Sequence, residues 1–473
     1  MKKYSLFALI LCSLFASDEI SIKETTIEVK GKKEVRPAIE GRTEWNVGDT
    51  FNVTLVNDLG NLSSLHFQGL ISPNSTDGTP YLTEAPLGAD RKVTYSFPLT
   101  QAGTYFFVAS FGLQQQSLLA APLIVLDPLD TRKQVLMLLE DFSFKQGGEI
   151  WQDLRNHVYD RSPRQNSTTK TVLSEIEYDA YLTNKRSLEN PEVIEVPQGV
   201  PVRLRIMNAS SMTNFFINTG TLTGTVLAVD AQDIEPVQDS LFEIAPGQRL
   251  DLEITLSEAG AFPILGEAEG TDKQTGLILK TRGAVIPIIP SRLTSPQGRP
   301  ITLKNEFRYI PKNPLPAKSP NRSFALKLQG DTFHYVWSIN GLSWPKVTPL
   351  PVKMGERIEM VIDNQSQVTQ VISLHGHTFQ IVNIDGTVIN GALRDTLYIL
   401  PQQAITIQFD ANNRGIWPLS STQLFHRWGG MMTYILYEDF KPLYFTDGIQ
   451  NSYYYRYSGR PLSPGEALEI PDS

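Results

Sequence analysis

Three stretches of this chain repeat one pattern at domain spacing, and that repeat constrains the fold more than any other feature. VGDTFNVTLVN (Val47 to Asn57), QGVPVRLRIMN (Gln198 to Asn208) and MGERIEMVIDN (Met354 to Asn364) each carry glycine second, alternate apolar and polar residues, and end on asparagine. Such alternation is the period of a half-buried strand, and the flanking glycine and asparagine are turn residues. A second set follows. RKVTYSFPLTQAGTYFF, QRLDLEITLSEAGAFPI and QAITIQFDANNRGIWPL each give an alternating strand, a turn, a glycine, then an aromatic residue two positions on: Tyr105, Phe262 and Trp417. The paired glycines Gly48/Gly103, Gly199/Gly260 and Gly355/Gly415 are 55, 61 and 60 residues apart, and equivalent glycines recur every 151 to 157 residues. A period that long is a whole domain and not a solenoid unit.

The fold class is therefore all-β, with three homologous β-sandwiches. The 473 residues suit three domains of roughly 150 each. Turn residues between many short strands favour a sandwich or barrel, and helical patterns are few and short. Boundaries fall near Pro128 and Pro290. Domain 1 is expected over 18–128, domain 2 over 129–290 and domain 3 over 321–447. The Pro- and Ser-rich stretch 291–320 carries few strand signals and reads as a linker. The polar, aromatic stretch 448–473 reads as a C-terminal tail that wraps over another domain. With 42 basic and 50 acidic residues the net charge is -8, and no basic run is long. That argues against nucleic acid as a partner.

Residues 1–17 read as a signal peptide. Lys2 and Lys3 precede an apolar run from Ser5 to Phe15, with small residues Ala16 and Ser17 at its end. The run is too short to span a bilayer. There is no twin-arginine pair, and no later stretch is long and apolar enough for a membrane span. The expectation is a periplasmic or secreted protein without a membrane span after cleavage. Cys12 is the single cysteine, so the cleaved chain has no thiol at all.

Local sequences in these repeats resemble the multicopper oxidases. LHFQGL (Leu65 to Leu70) is similar to that family's I-H-W-H-G, and GTYFFVASFGLQQQ (Gly103 to Gln116) to its G-T-Y-W-Y-H-S-H-x-x-x-Q. SLHGHTFQIV (Ser373 to Val382) resembles H-L-H-G-H-x-F, and GIWPLSSTQLFHRWGGMM (Gly415 to Met432) the closing G-x-W-x-x-H-C-H-x-x-x-H-x-x-x-G-M-M. RLRIMNASSMTNFFINTG and IAPGQRLDLEI resemble the middle domain's framework. The resemblance covers nearly all of the expected mature chain, in order and in register. It implies three cupredoxin-like Greek-key sandwiches.

It also implies two copper centres, and here the residues depart from the pattern. The family's blue-copper site needs two imidazoles, a Cys thiolate and usually a weak axial Met. Gln370 stands at the first imidazole and Ser421 at the cysteine, while His426 and Met431 remain. The family's three-copper cluster takes eight imidazoles. Gln68, Val108, Ser110, Ser373, Ser420 and Thr422 stand at six of those positions, leaving His66 and His375. His377 matches a family histidine that is not a ligand. Six histidines in all are fewer than the ten these motifs require. His66, His375, His426 and Met431 are thus relict metal-ligand positions. The bland alternative has the first two hydrogen-bonded to the Ser, Thr and Gln that replaced their partners. The other two would then pack in the core under Trp417 and Met432. His157 and His334 lie off the motifs. Asp153, Asp230 and Asp233 are read as solvated or turn carboxylates in preference to acid/base groups. No catalytic residue and no cofactor-binding residue is assigned.

The expected function is that of a non-enzymatic envelope protein that binds other proteins, with no cofactor and copper by resemblance only. The family includes an exported bacterial cell-division protein with three such domains and no copper that serves as a scaffold. The alternative is a copper-dependent oxidoreductase acting on metal ions or phenols. A small-molecule binder using the cleft between the first and third domains is a third reading. The partner's identity is left open.

Overall fold

The computed structural model describes residues 17–159, 172–294 and 298–442. Most of the stretch 1–17 expected to be a signal peptide, and all of the expected tail 448–473, lie outside them. Three sandwiches follow one another along the chain. The first packs a sheet of Lys32–Gly41, Asp18–Val29, Thr50–Asn57 and Arg91–Pro98 on one of Glu44–Asn46, Ala120–Leu126, Gly103–Ala109 and Leu65–Gln68. The second is built from eleven strands between Lys133 and Lys280, in sheets of six and five. The third runs from Arg322 to Tyr437, in sheets of seven and five. Each sheet also places side by side strands that are not consecutive in the chain, as in Greek keys.

The repeated glycine and asparagine have the same structural duty in each sandwich. Gly48, Gly199 and Gly355 have φ of 91°, 74° and 85°, a region costly for other residues. Each turns the chain into the strand two residues on. Their amides donate to Leu99 O, Leu256 O and Ala411 O at 2.8, 2.9 and 2.7 Å, at the far end of the antiparallel neighbour. At the other end, Asn57, Asn208 and Asn364 are wholly buried. Each side chain accepts from the amide two residues on, that of Leu59, Ser210 or Ser366. Each also donates across the sandwich, to Leu87 O, Ile244 O or Ile399 O. A buried amide satisfied this fully stabilises the turn, whereas an apolar replacement would orphan main-chain groups.

The described residues of the stretch 291–320 form no strand of their own, but the stretch is not a loose tether. Ile301, Leu303 and Tyr309 are buried in the core that the second and third sandwiches share. Glu269 accepts from the Ile301 amide at 2.7 Å, and Glu243 from that of Thr302 at 3.0 Å. Among the described residues no helix is long and apolar enough to cross a membrane.

Candidate functional site

The motif positions converge on a small cavity of about 30 Å³, room for roughly two waters. Its wall includes His66, Gln68, Val108 and Ser110 from the first sandwich and His375, Ser420 and Thr422 from the third. The His66 and His375 rings stack with centroids 3.8 Å apart and planes 14° from parallel. Their strands explain the meeting. Leu65–Gln68 and Gln370–Leu374 are wholly buried strands that face each other where the first and third domains abut.

Neither imidazole bonds to a Ser, Thr or Gln replacement, which corrects the expectation above. Both face Asp77. His66 Nδ1 donates to Asp77 O at 2.7 Å and lies 3.4 Å from Oδ1, and His375 Nδ1 donates to Oδ1 at 3.0 Å. Thr79 Oγ1 donates to Oδ2 at 2.5 Å. Asp77 follows the short helical turn Asn74–Thr76 and precedes Gly78. Gly78 has φ of 80°, and a Cβ there would sit 1.8 Å from Leu65 O, so only glycine lets this loop press against the His66 strand. Ser110 Oγ donates to Gly78 O at 2.5 Å, so a replacement residue braces the Asp77 turn.

Burial would raise the Asp77 carboxyl, but the two imidazoles outweigh it and hold the group well below the usual range. Burial and the neighbouring His66 push His375 down. Burial, and to a smaller extent the Asp77 charge, push Glu84 up to about 8 against the pull of the Tyr95 hydroxyl.

The other replacements are also tied into the protein. Gln68 Nε2 donates to Ser373 Oγ at 3.2 Å and to Thr396 Oγ1 at 3.1 Å in the third domain. Thr422 Oγ1 donates to Pro246 O in the second at 2.7 Å. Val108 packs with Phe106, Leu138 and Met207.

The second relict position lies on the short helix Leu424–Trp428. His426 is wholly buried and bonded at both nitrogens, Nδ1 to Gln370 Oε1 at 3.0 Å and Nε2 to Glu175 Oε1 at 2.8 Å. Its ring lies on Trp337, centroids 4.0 Å apart. Packing under Trp417 is thus corrected: His377 is the ring beside Trp417, 5.8 Å away. Met431 is buried, and its amide donates to His426 O. Ser421 Oγ accepts from the Gln423 amide at 3.1 Å. His157 stacks on Phe333, and His334 bonds Asp331 at the surface.

The sequence reading missed a buried ionic cluster where the three sandwiches meet. Arg249 spans it. Nε donates to Thr104 O of the first domain at 3.2 Å, and Nη1 to Asp395 Oδ1 of the third at 2.7 Å. A second bond joins its Nη2 to Asp395 Oδ2. Gly69 makes room: a Cβ there would lie 2.0 Å from Arg249 Nη2. Asp230 accepts from the Arg249 amide at 2.8 Å and from Arg394 Nη1 at 3.1 Å, and Arg394 also pairs with Glu306. Asp230 is therefore a buried ion-pair partner and not a solvated turn carboxylate, because two guanidiniums converge on it. Asp233 is exposed, and Asp153 pairs with Lys145.

These donor sets do not fit the centres that the motifs imply. A blue-copper site needs a thiolate. The corresponding side chain is a hydroxyl already hydrogen-bonded, and the matching imidazole position holds an amide. Around the cavity two imidazoles stand where a three-metal cluster would require eight.

Three profiles described as multicopper oxidase match residues 25–130, 148–283 and 317–441. The chain is similar to "Multicopper oxidase MmcO" of Mycobacterium tuberculosis, 29% identical over 83% of this chain and 80% of that one. It is also similar to "Copper resistance protein A homolog" of Pseudomonas syringae pv. tomato, 21% identical over 89% and 92%. Among solved structures it superimposes on Fet3p, a multicopper oxidase that functions in iron import, with TM-score 0.74 at 18% identity, covering 89% of this chain and 90% of that one. Superposition on the laccase from Botrytis aclada gives 0.72 at 21% identity, covering 88% and 87%.

Proposed function

Since this chain belongs to the multicopper oxidase family, we propose that it is a member without working copper centres, exported to the periplasm, that acts by binding other envelope proteins. One observation carries the first half of this reading. Ser421 stands at the thiolate position, and the neighbouring imidazole is engaged at both nitrogens by Gln370 and Glu175. A serine hydroxyl does not ionise near neutral pH and is a hard donor. It cannot supply the soft bond that tunes a blue-copper site or carry its electrons onward. The protein frame is nevertheless intact, which suits a role that uses shape.

The binding half is supported by an apolar strip after the second sandwich. Val285 and Ile288 are 89% and 98% exposed, with Ile286 and Pro287 between them. Single exposed apolar residues are ordinary, but a run of them marks a contact surface more often.

Copper loading of the purified mature chain, followed by metal analysis and oxygen electrode measurements with phenols and ferrous ion, tests the first half. The expected result is a colourless protein with no oxygen uptake. Copper-dependent uptake abolished by His375→Ala would return the chain to the oxidoreductases. For the second half, crosslinked envelope partners should be captured by the unmodified chain and lost in a Val285→Ser/Ile288→Ser variant.

A further inference from the structure

We propose that His66, Asp77 and His375 form a mononuclear site for one divalent ion of the zinc class, which clasps the first domain to the third. Among the described residues they are the one group of three His, Asp or Glu donors close enough to share an ion. Their ligand atoms all lie within 4.8 Å of one another. The carboxylate stands 3.4 Å from His66 Nδ1 and 3.0 Å from His375 Nδ1. Ligands around a tetrahedral ion with bonds near 2 Å are about 3.3 Å apart. Two borderline imidazoles and one hard carboxylate are a set that zinc accepts, and they leave a position open.

The three residues come from two domains. The Gly78 turn, the Ser110 hydroxyl and the Thr79 hydroxyl fix Asp77 without any ion, and the two rings, stacked and 14° from parallel, must splay apart for both in-plane lone pairs to meet one ion. Asp77 belongs to none of the motif positions, so the donor set differs from the cluster those motifs describe. Arg427 lines the adjoining cavity. Its charge weakens a bare cation there and favours water or an anion as the fourth ligand. The proton balance is closed. Metal-free, both rings carry hydrogen on Nδ1, directed at Asp77. On binding, each Nδ1 lone pair goes to the ion and the proton returns on Nε2, so neutral imidazoles stay neutral.

The test is zinc retention by the full chain, stripped of metal, loaded with Zn2+ alone and dialysed. One zinc per chain and a raised melting temperature are expected. Asp77→Asn and His375→Gln should lose both effects, and His334→Ala, at the surface, should lose neither. No retained zinc, or retention unchanged in both site variants, overturns the proposal. A readout on the unmodified chain guards against variants that fail to fold. Nitrogen NMR of the ring tautomers should show Nδ1–H on His66 and His375 without zinc and Nε2–H with it. Zinc bound with Nδ1 still protonated would put the ion on the cavity side and overturn the role of Asp77. These outcomes are separate from oxygen uptake, so this site and the non-oxidase reading fail independently.

Discussion

The Nε2 of His426 lies 2.8 Å from Oε1 of Glu175, and this bond ties the third sandwich to a segment of the second 251 residues away in sequence. Both side chains are buried. Replacing Glu175 by leucine leaves one nitrogen of a wholly buried ring without a partner. That should cost about 1–3 kcal/mol, read as a lowered urea midpoint. Glu175→Gln keeps a polar partner and should cost less. Equal midpoints for all three proteins would show the contact to be inert.

The Arg249–Asp395 pair is a buried ionic contact between the second and third domains. Burial disfavours the guanidinium charge, and Asp395 and Asp230 more than offset that. Asp395→Ala leaves Arg249 with Asp230 alone among its carboxylates and should destabilise the chain by about 3 kcal/mol in thermal or denaturant unfolding. Arg249→Met combined with Asp395→Leu should cost clearly less than the sum of the single changes, since neither charge is then unpaired. Simple additivity would contradict the pairing.

Glu269 predicts a pH dependence with a definite sign. Burial pushes its carboxyl from 4.5 up to about 7, although Asn214 and the Ile301 amide both donate to it. Between those values the folded chain holds a proton that the unfolded chain has lost. Its contribution is therefore fully present below about pH 4.5 and disappears as pH rises through about 7. Glu269→Gln should remove that loss, raising stability at pH 8 by up to about 3 kcal/mol relative to the unmodified chain while changing little at pH 4.5. Parallel stability curves for the two proteins would refute it.

Rebuilding the blue centre should need two substitutions. Ser421→Cys alone restores the thiolate, but Gln370 still supplies an amide and holds His426 Nδ1. Adding Gln370→His removes that bond and completes a His-Cys-His-Met set with His426 and Met431. Copper loading should then give intense visible absorption only in the double variant. Oxygen reduction should remain absent, because the cavity still lacks six imidazoles. A blue colour in Ser421→Cys alone would show that Gln370 is no obstacle.

The fold was legible because its determinants are local. A glycine that must take positive φ, a strand that must alternate and an asparagine that must satisfy a turn sit within eleven residues, and the chain writes that set three times. The cavity was legible through its motif positions. Asp77 was not: it lies in an aperiodic loop and meets His375 across 298 residues. Glu175, Asp230 and Arg249 were hidden for the same reason, since their partners are fixed by how sandwiches dock. A charge in a turn looks the same in sequence whether water or a distant guanidinium faces it.

Arg249 touches all three sandwiches at once, and the second and third also share one apolar core. Separating the second and third sandwiches would therefore leave a bare charge and an open core, and excising the first would uncover the cluster of Leu138 and Met207 that Phe106 and Val108 cover. The chain should melt as one cooperative body, and isolated domains should be insoluble fragments. Gln68, at a copper position, reaches the same keystone through Asp395, whereas a change at Arg249 would bring down the whole arch.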